Sequence, residues 1–263
     1  MFSFRSKRDG LPSGERSIIK FAMSRVFRSF VKPSLGNEGT EITLNMEESH
    51  HLAKVLRRRI GDHVELLDGQ GGVACAECLK VSKGAVTLRI LNRVNIPSII
   101  PYTRMLIALT KSAKWDELIK PLTELGVNQI TPLFTERTEA KIDSVKVEGK
   151  ITKWRKLAIE ACKQSGNPWL PQIDQPMEFK KYLSSPKKKA WMASISATYS
   201  GELFSNISES IDLLIGPEGG WTQREEKMAR ECGIQFFSLG RWTLRTETAS
   251  LSALAVARNH FLE

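Results

Sequence analysis

The chain has 263 residues, 41% of them apolar, enough to bury a substantial core in one large or two modest domains. Lysine and arginine outnumber aspartate and glutamate by 39 to 29, and the net charge of +10 suggests a polyanionic partner, nucleic acid first. No apolar run approaches the ~18 residues of a membrane span. The basic N-terminus lacks the continuous apolar segment of a secretory signal, and four cysteines in this length imply no disulfide framework and a reducing compartment, the cytoplasm. A basic soluble enzyme carries the same charge, so the charge by itself supports RNA or DNA binding only weakly.

Residues 1–22 show little periodicity and read as a disordered arm, and Met23 is a candidate start of the patterned sequence. Strand-like alternation follows over 24–31, then a strand at 42–44. Asn45 stands three residues before Glu48, a cap with a reciprocal acid. The spacing predicts a helix over 47–59 with Leu52, Val55, Leu56 and Ile60 on one face. Its last residues, Arg57, Arg58 and Arg59, suit either a helix C-terminus, through the dipole, or a phosphate-contacting patch. Strands over 63–67, 73–81 and 85–90, with turns at 68–72 and 82–84, complete a small β module spanning 23–95. Two motifs in it are decoys. The G-x-G-x-x-A match at Gly69–Ala74 leads into another strand where a dinucleotide site needs a helix, so it is a hairpin turn. Cys75 and Cys78 fit C-x-x-C, but residues three apart on a strand point to opposite faces, and no second pair or suitably spaced histidine completes a metal site.

A stiff segment at 96–101, with Pro97 and Pro101, links to a second region whose period changes. A strand at 105–109 precedes a helix over 111–125 with Trp115, Leu118, Ile119, Leu122 and Leu125 inward and a kink expected at Pro121. A strand at 130–134 ends in Thr135-Glu136-Arg137-Thr138, where α/β sheets place ligand contacts. A helix over 148–165, with Ile151, Trp154, Leu157, Ala158 and Ala161 inward, stops at Gly166. A short helix at 179–183, a lysine turn at 187–189, and strands at 190–195, 211–215 and 235–239 follow. Alternating strands and helices predict an open, mainly parallel sheet. The last two strands each run into a glycine loop and then a helical pattern. Gly216-Pro217-Glu218-Gly219-Gly220 brings bare backbone close to a ligand, and 240–248 places Arg241, Arg245 and Glu247 before a helix rich in alanine and serine. The first loop lacks the Lys-Ser/Thr ending of a P-loop, which argues against a nucleotide triphosphatase.

These residues resemble a known family. Leu214–Trp221 together with Leu239–Ala249 is similar to the signature of the bacterial 16S ribosomal RNA uridine-N3-methyltransferases, of the SPOUT class of knotted methyltransferases. The resemblance extends through Lys120–Val127, Glu136–Thr138, Ala161–Gly166 and, upstream, His51 with Val55-Leu56-Arg57, covering roughly residues 23–263. It departs at Asn167, where an arginine is common, and at Trp242, where an aliphatic residue is commoner. The resemblance implies a PUA-like RNA-binding β-barrel over 23–95 and an α/β SPOUT domain with a C-terminal trefoil knot over 102–263. It also implies a homodimer that binds S-adenosyl-L-methionine (SAM) and methylates 16S ribosomal RNA in the decoding region of the 30S subunit, with no metal and no membrane.

Backbone and side chains of Leu214, Ile215, Gly216, Pro217, Glu218, Gly219, Gly220, Leu239, Gly240, Leu244, Arg245, Thr246, Thr248 and Ala249 are then the expected cofactor contacts. Methylating N3 of uridine requires loss of the N3 proton and a partner for the charge left on the uracil. Arg245 fits a cation beside the uracil oxygens and equally a salt bridge to Glu218 or Glu247. Glu218 and Glu247 are candidate bases and equally helix N-terminal partners, so the residues alone assign no base. Arg28, Arg57 and Arg58 are candidate phosphate contacts, and Arg137 a contact to substrate or to a second subunit. A non-catalytic RNA-binding protein of the same architecture, or a SPOUT enzyme acting on another RNA, is the rival reading.

Overall fold

A computed structural model describes residues 26–82, 84–110, 112–139, 146–185, 189–197 and 209–260. The predicted N-terminal arm, the candidate start at Met23 and residues 187 and 188 of the lysine turn lie outside these. The chain forms two units, residues 1–68 with 72–96, and residues 69–71 with 97–263. Among the described residues, no helix is long and apolar enough to cross a membrane.

The first unit is a five-stranded sheet in the order β1-β3-β4-β5-β2, with β1 Arg28–Phe30, β2 Glu41–Thr43, β3 His63–Leu67, β4 Gly72–Val81 and β5 Val86–Asn95. β1 runs parallel to β3 and the other pairs are antiparallel. Alternation along β4 puts Ala74, Ala76 and Cys78 in the core and leaves Cys75 and Glu77 half-exposed, so the two cysteines face apart as the strand period requires. Burial pushes the Cys78 thiol up to about 11, away from the thiolate a metal would need. The glycine motif is the β3–β4 hairpin: Leu67 pairs with Val73, and the Asp68 carboxylate accepts from the Gly72 N–H at 2.9 Å.

The predicted 47–59 helix is a shorter and different element. α1 (Met46–His50), capped by Asn45 accepting from Glu48 N–H at 2.9 Å, passes into a π-helical turn at His51–Val55. The wider turn rotates the apolar face. Leu52 stays buried, while Val55 and Ile60 are 60% and 70% exposed rather than sharing its face. Arg57 then takes a left-handed φ of 51°. The three arginines follow directly on the helix end, and Arg58 Nε donates to the carbonyl of the C-cap Leu56 at 3.1 Å, so the helix-end explanation holds for Arg58 and leaves Arg57 and Arg59 for either role. Glu48 is buried and accepts from Ser29 Oγ at 2.6 Å and Phe30 N–H at 3.2 Å, tying α1 to β1.

The second unit is a seven-stranded sheet of parallel pairings. Its strands are β6 Tyr102–Ala108, β7 Gln129–Phe134, β8 Gln172–Ile173, β9 Met177–Glu178, β10 Lys189–Ala193, β11 Ser210–Ile215 and β12 Gln235–Phe237. The order is β12-β10-β11-β6-β7-β8, with β9 also on β7. Lys189, expected in a turn, begins β10. β10 ends at Ala193 and β12 at Phe237, so Ile195 and Leu239, expected in strands, are loop residues. Helices cover both faces, which is why β6 and β11 are near-continuous apolar runs. Met105, Ile107, Leu213 and Ile215 pack with Trp115 and Leu118 of α2 (Ser112–Glu124), Trp154 and Ala158 of α3 (Val147–Ser165), and Ala253 and Leu254 of α6 (Thr246–His260). Leu106 and Leu214 point the other way, towards Phe179 and Tyr182 of α4 (Phe179–Leu183) and Ala229 of α5 (Gln223–Glu231).

α2 runs on through Pro121 to Glu124, and Leu125 follows it only partly buried. Gly166 ends α3 at φ 83°. Asn167, where the resemblance leads one to expect an arginine, braces the turn after α3. Its Nδ2 donates to Thr123 O at 2.9 Å and its Oδ1 accepts from Trp169 N–H at 3.0 Å.

Candidate active site

The segments that follow the C-terminal ends of β7, β10, β11 and β12 meet at one cavity of about 510 Å³. Crevices at this end of a parallel sheet are where α/β folds place ligands, and the volume lies in the ~300–1,000 Å³ range of small-molecule sites.

The loop after β11, residues 216–222, is braced from several sides. Trp221 lies buried beneath it and donates from Nε1 to Ala193 O at 2.9 Å. A Cβ at Gly216 would sit 3.0 Å from that indole nitrogen, so glycine lets the chain cross the ring. Arg137 Nη1 donates to Gly219 O at 2.7 Å and Trp221 O at 3.4 Å. Thr222 and Glu225 form a reciprocal capping box at the start of α5. The buried Glu225 carboxylate also accepts from Glu136 N–H at 2.9 Å, and Glu136 Oε2 accepts from Thr222 Oγ1 at 2.8 Å. The predicted ligand position after β7 thus acts first on the glycine loop.

Among the described residues, the loop after β12, residues 238–245, has fewer ties. Ser238 Oγ donates to Gly240 O at 3.1 Å and accepts from Gly240 N–H at 3.3 Å, and Thr246 Oγ1 donates to Gly216 O at 3.0 Å, joining the two loops. Arg241, Trp242, Thr243 and Arg245 are exposed. A third wall comes from the segment after β10, where the Glu226 carboxylate accepts from Ser194 Oγ at 2.5 Å and from Ser196 Oγ at 3.0 Å.

Of the expected cofactor contacts, Ile215, Gly216, Pro217, Glu218, Gly219, Gly220, Leu239, Gly240, Leu244, Thr246 and Ala249 line the cavity. Leu214, Arg245 and Thr248 do not. The Leu214 side chain belongs to the opposite core, and Arg245 and Thr248 are exposed outside the wall. At Gly220 the backbone φ of 67°, not crowding by protein atoms, demands glycine.

Glu247 also lies off the wall, and both its carboxylate oxygens are buried without a hydrogen bond. The cation beside it is Lys114, 3.9 Å from Glu247 and 4.0 Å from Glu218, so the salt bridge considered for Arg245 is made by Lys114 instead. Lys114, Ser194, Ile195, Ser196 and Glu226 were not legible from sequence. Only the parallel register that puts β10 between β11 and β12 brings the residues after β10 here.

In the first unit, Arg28 Nε is 2.5 Å from Glu65, and both side chains are largely buried. Arg58 stacks on Phe27, with its guanidinium carbon 3.8 Å from the ring centroid, and lies 3.5 Å from Asp62. Arg57 and Arg59 are exposed. Among the described residues no cluster of three or more His, Cys, Asp or Glu forms a metal-binding group.

The RNA methyltransferase domain family matches residues 101–258, and the RNA methyltransferase PUA domain family matches residues 44–91. The ribosomal RNA small subunit methyltransferase E of Synechocystis sp. is 35% identical over 253 residues, covering 93% of this chain and 80% of that protein. Its counterpart in Bacillus subtilis is 30% identical over 245 residues, covering 89% and 95%. Among solved structures, a ribosomal RNA small subunit methyltransferase E from Neisseria gonorrhoeae bound to S-adenosyl methionine superposes with a TM-score of 0.82 at 27% identity, over 90% of this chain and 98% of that one. A putative methyltransferase from Legionella pneumophila with bound SAM gives 0.83 at 28%, over 90% and 98%.

Proposed function

The chain belongs to the ribosomal RNA small subunit methyltransferase E family, and on that premise we propose that it transfers the methyl group of SAM to N3 of a uridine in the decoding region of 16S ribosomal RNA. The observation that carries the reading is the closure of two glycine loops, 216–222 and 238–245, around one cavity at the C-terminal end of the sheet.

The cavity suits that cofactor. Bare backbone at Gly216, Gly219, Gly220 and Gly240 offers close approach, Ile215, Leu239, Leu244 and Ala249 offer apolar wall, and Glu218 and Glu226 offer negative charge to a sulfonium. When bound, SAM supplies an electrophilic methyl group. The protein's own work is to hold the uracil and accept its N3 proton. Both oxygens of Glu226 are engaged by serine hydroxyls, whereas Glu218 stands on the wall with Lys114 4.0 Å away. Glu218 is therefore the proposed proton acceptor. Arg241, exposed on the same wall, replaces Arg245 as the proposed partner of the charge left on the uracil oxygens. Arg245 and Glu247, off the wall, are assigned to RNA contact and to the Lys114 pairing.

Arg57 and Arg58, with the other cations of the first unit, are proposed to position phosphates. A trefoil knot is supported by the strand order, in which β10 separates β12 from β11, and by the Thr246–Gly216 bond between the two loops. A homodimer acting in the cytoplasm on the 30S subunit completes the proposal. The test is mass spectrometry of 16S ribosomal RNA nucleosides from cells lacking the gene. The 3-methyluridine signal is expected to vanish and to return with the wild-type gene, and its persistence in the deletion strain overturns the reading.

A further inference from the structure

Among the described residues Trp242 is the one aromatic side chain that stands out in solvent, 78% exposed, and it lines the cavity. Every other described tryptophan is buried or half-buried. An indole left in water forgoes the burial that normally places this residue inside a fold. The wall that carries it also carries Ile195, 75% exposed, and the exposed guanidinium of Arg241, the residue immediately before it. A flat π surface, an aliphatic contact and a cation on one rim match the parts of a nucleoside: base face, sugar edge and the base's carbonyl oxygens. A uridine methylated at N3 has to leave its base pair or stack to present that atom, and it then loses stacking that an aromatic plate restores.

We infer that Trp242 is the stacking platform for a nucleobase of the RNA substrate at the mouth of this cavity, a specificity-determining contact that rests on the proposed methyl transfer. The loop around it supports this assignment. Among the described residues, the bonds that tie the loop down run through Ser238, Gly240 and Thr246 and make no use of the indole, which is left to meet a base rather than to hold the fold.

The test compares the wild-type full chain with Trp242→Leu, which keeps apolar bulk without a π face, and Trp242→Phe, which keeps one. Small ribosomal subunits from a strain lacking the gene are the methyl acceptor, with labelled SAM as donor. Trp242→Leu is expected to lower kcat/KM for subunits about tenfold. Trp242→Phe should stay within about twofold of wild type, and calorimetric SAM affinity should be unchanged in both. A leucine variant as active as wild type overturns the inference. So does a loss of SAM affinity, which would make the indole a cofactor contact, and so does a changed oligomeric state in sedimentation, which would give it to a second copy of the chain. An inactive wild type overturns the proposed methyl transfer and this inference together, whereas an active wild type with an unaffected leucine variant removes this inference alone.

Discussion

The two glycine loops that close the cavity differ in how they are held. Loop 216–222 is fastened from beneath by Trp221, from the side by Arg137 and at its exit by the Thr222–Glu225 box with Glu136 behind it. Loop 238–245 has its Ser238–Gly240 bonds and the Thr246 hydroxyl, and it turns Arg241, Trp242, Thr243 and Arg245 to solvent. Backbone that recognises a small, invariant cofactor is best organised beforehand, since ordering it on binding costs affinity. Exposed side chains suit a large substrate that brings its own surface. On the proposed function, the difference divides one site into a braced cofactor half and an RNA-facing half.

The largest expected effect tests the braced half. Trp221→Ala removes a buried ring from beneath the loop and should cost roughly 3–5 kcal/mol of stability, read by urea denaturation, with SAM binding lost in parallel. Stability lost with SAM affinity intact would mean that the loop does not need its brace. Arg137→Ala is milder. It frees the Gly219 carbonyl and should weaken SAM about tenfold in calorimetry, the usual scale of a charge-assisted hydrogen bond at ~1.5–3 kcal/mol discounted for exposure. RNA affinity lost instead, with SAM unaffected, would return Arg137 to the RNA surface and blur the division.

The RNA-facing half makes the opposite prediction. Arg241→Ala should leave SAM affinity within about twofold while lowering methyl transfer to small subunits about tenfold, with the salt dependence of RNA binding unchanged, because its proposed partner is the uracil and not a phosphate. A loss of SAM affinity would move Arg241 to the cofactor half and end the comparison.

How far this division was legible in the sequence follows from what each residue does locally. Gly216–Gly220 and Gly240 announce themselves, because a strand running into glycines leaves few alternatives to a loop that approaches a ligand. β3 and α4 fall where their periodicity puts them, since a hairpin turn and a short apolar run are local signals. The end of α1 was not legible. A π-helical turn and a left-handed Arg57 carry no residue signature, and a 3.6-residue period misplaced Val55 and Ile60. The braces were equally hidden. Arg137 reads as a contact to substrate or a second subunit until the fold brings Gly219 to it, and Glu226 gives no signal until β10 delivers Ser194 and Ser196. Arg245 and Glu247 show the converse: motif residues whose side chains the fold leaves off the cavity wall.

The smallest expected effect lies where the halves touch. Thr246 is buried at the start of α6, and its hydroxyl donates to Gly216 O at 3.0 Å, the direct side-chain bond from the second loop's exit to the first. Thr246→Val keeps the shape and deletes the donor, at a cost of about 1 kcal/mol. If the loops act as separate halves, this substitution and Arg137→Ala should have additive effects on SAM affinity, because independent sites add. If the hydroxyl transmits the bracing of the first loop to the second, the double variant should lose less than the sum of the single losses. Thr246→Val alone should then also lower methyl transfer to RNA by a few-fold while leaving Trp242 untouched. A double-mutant cycle in calorimetric SAM binding, run beside the transfer assay, separates the cases. Additivity keeps the division sharp, and a coupling of about 0.5 kcal/mol or more makes the two loops one cooperative element closed around one ligand.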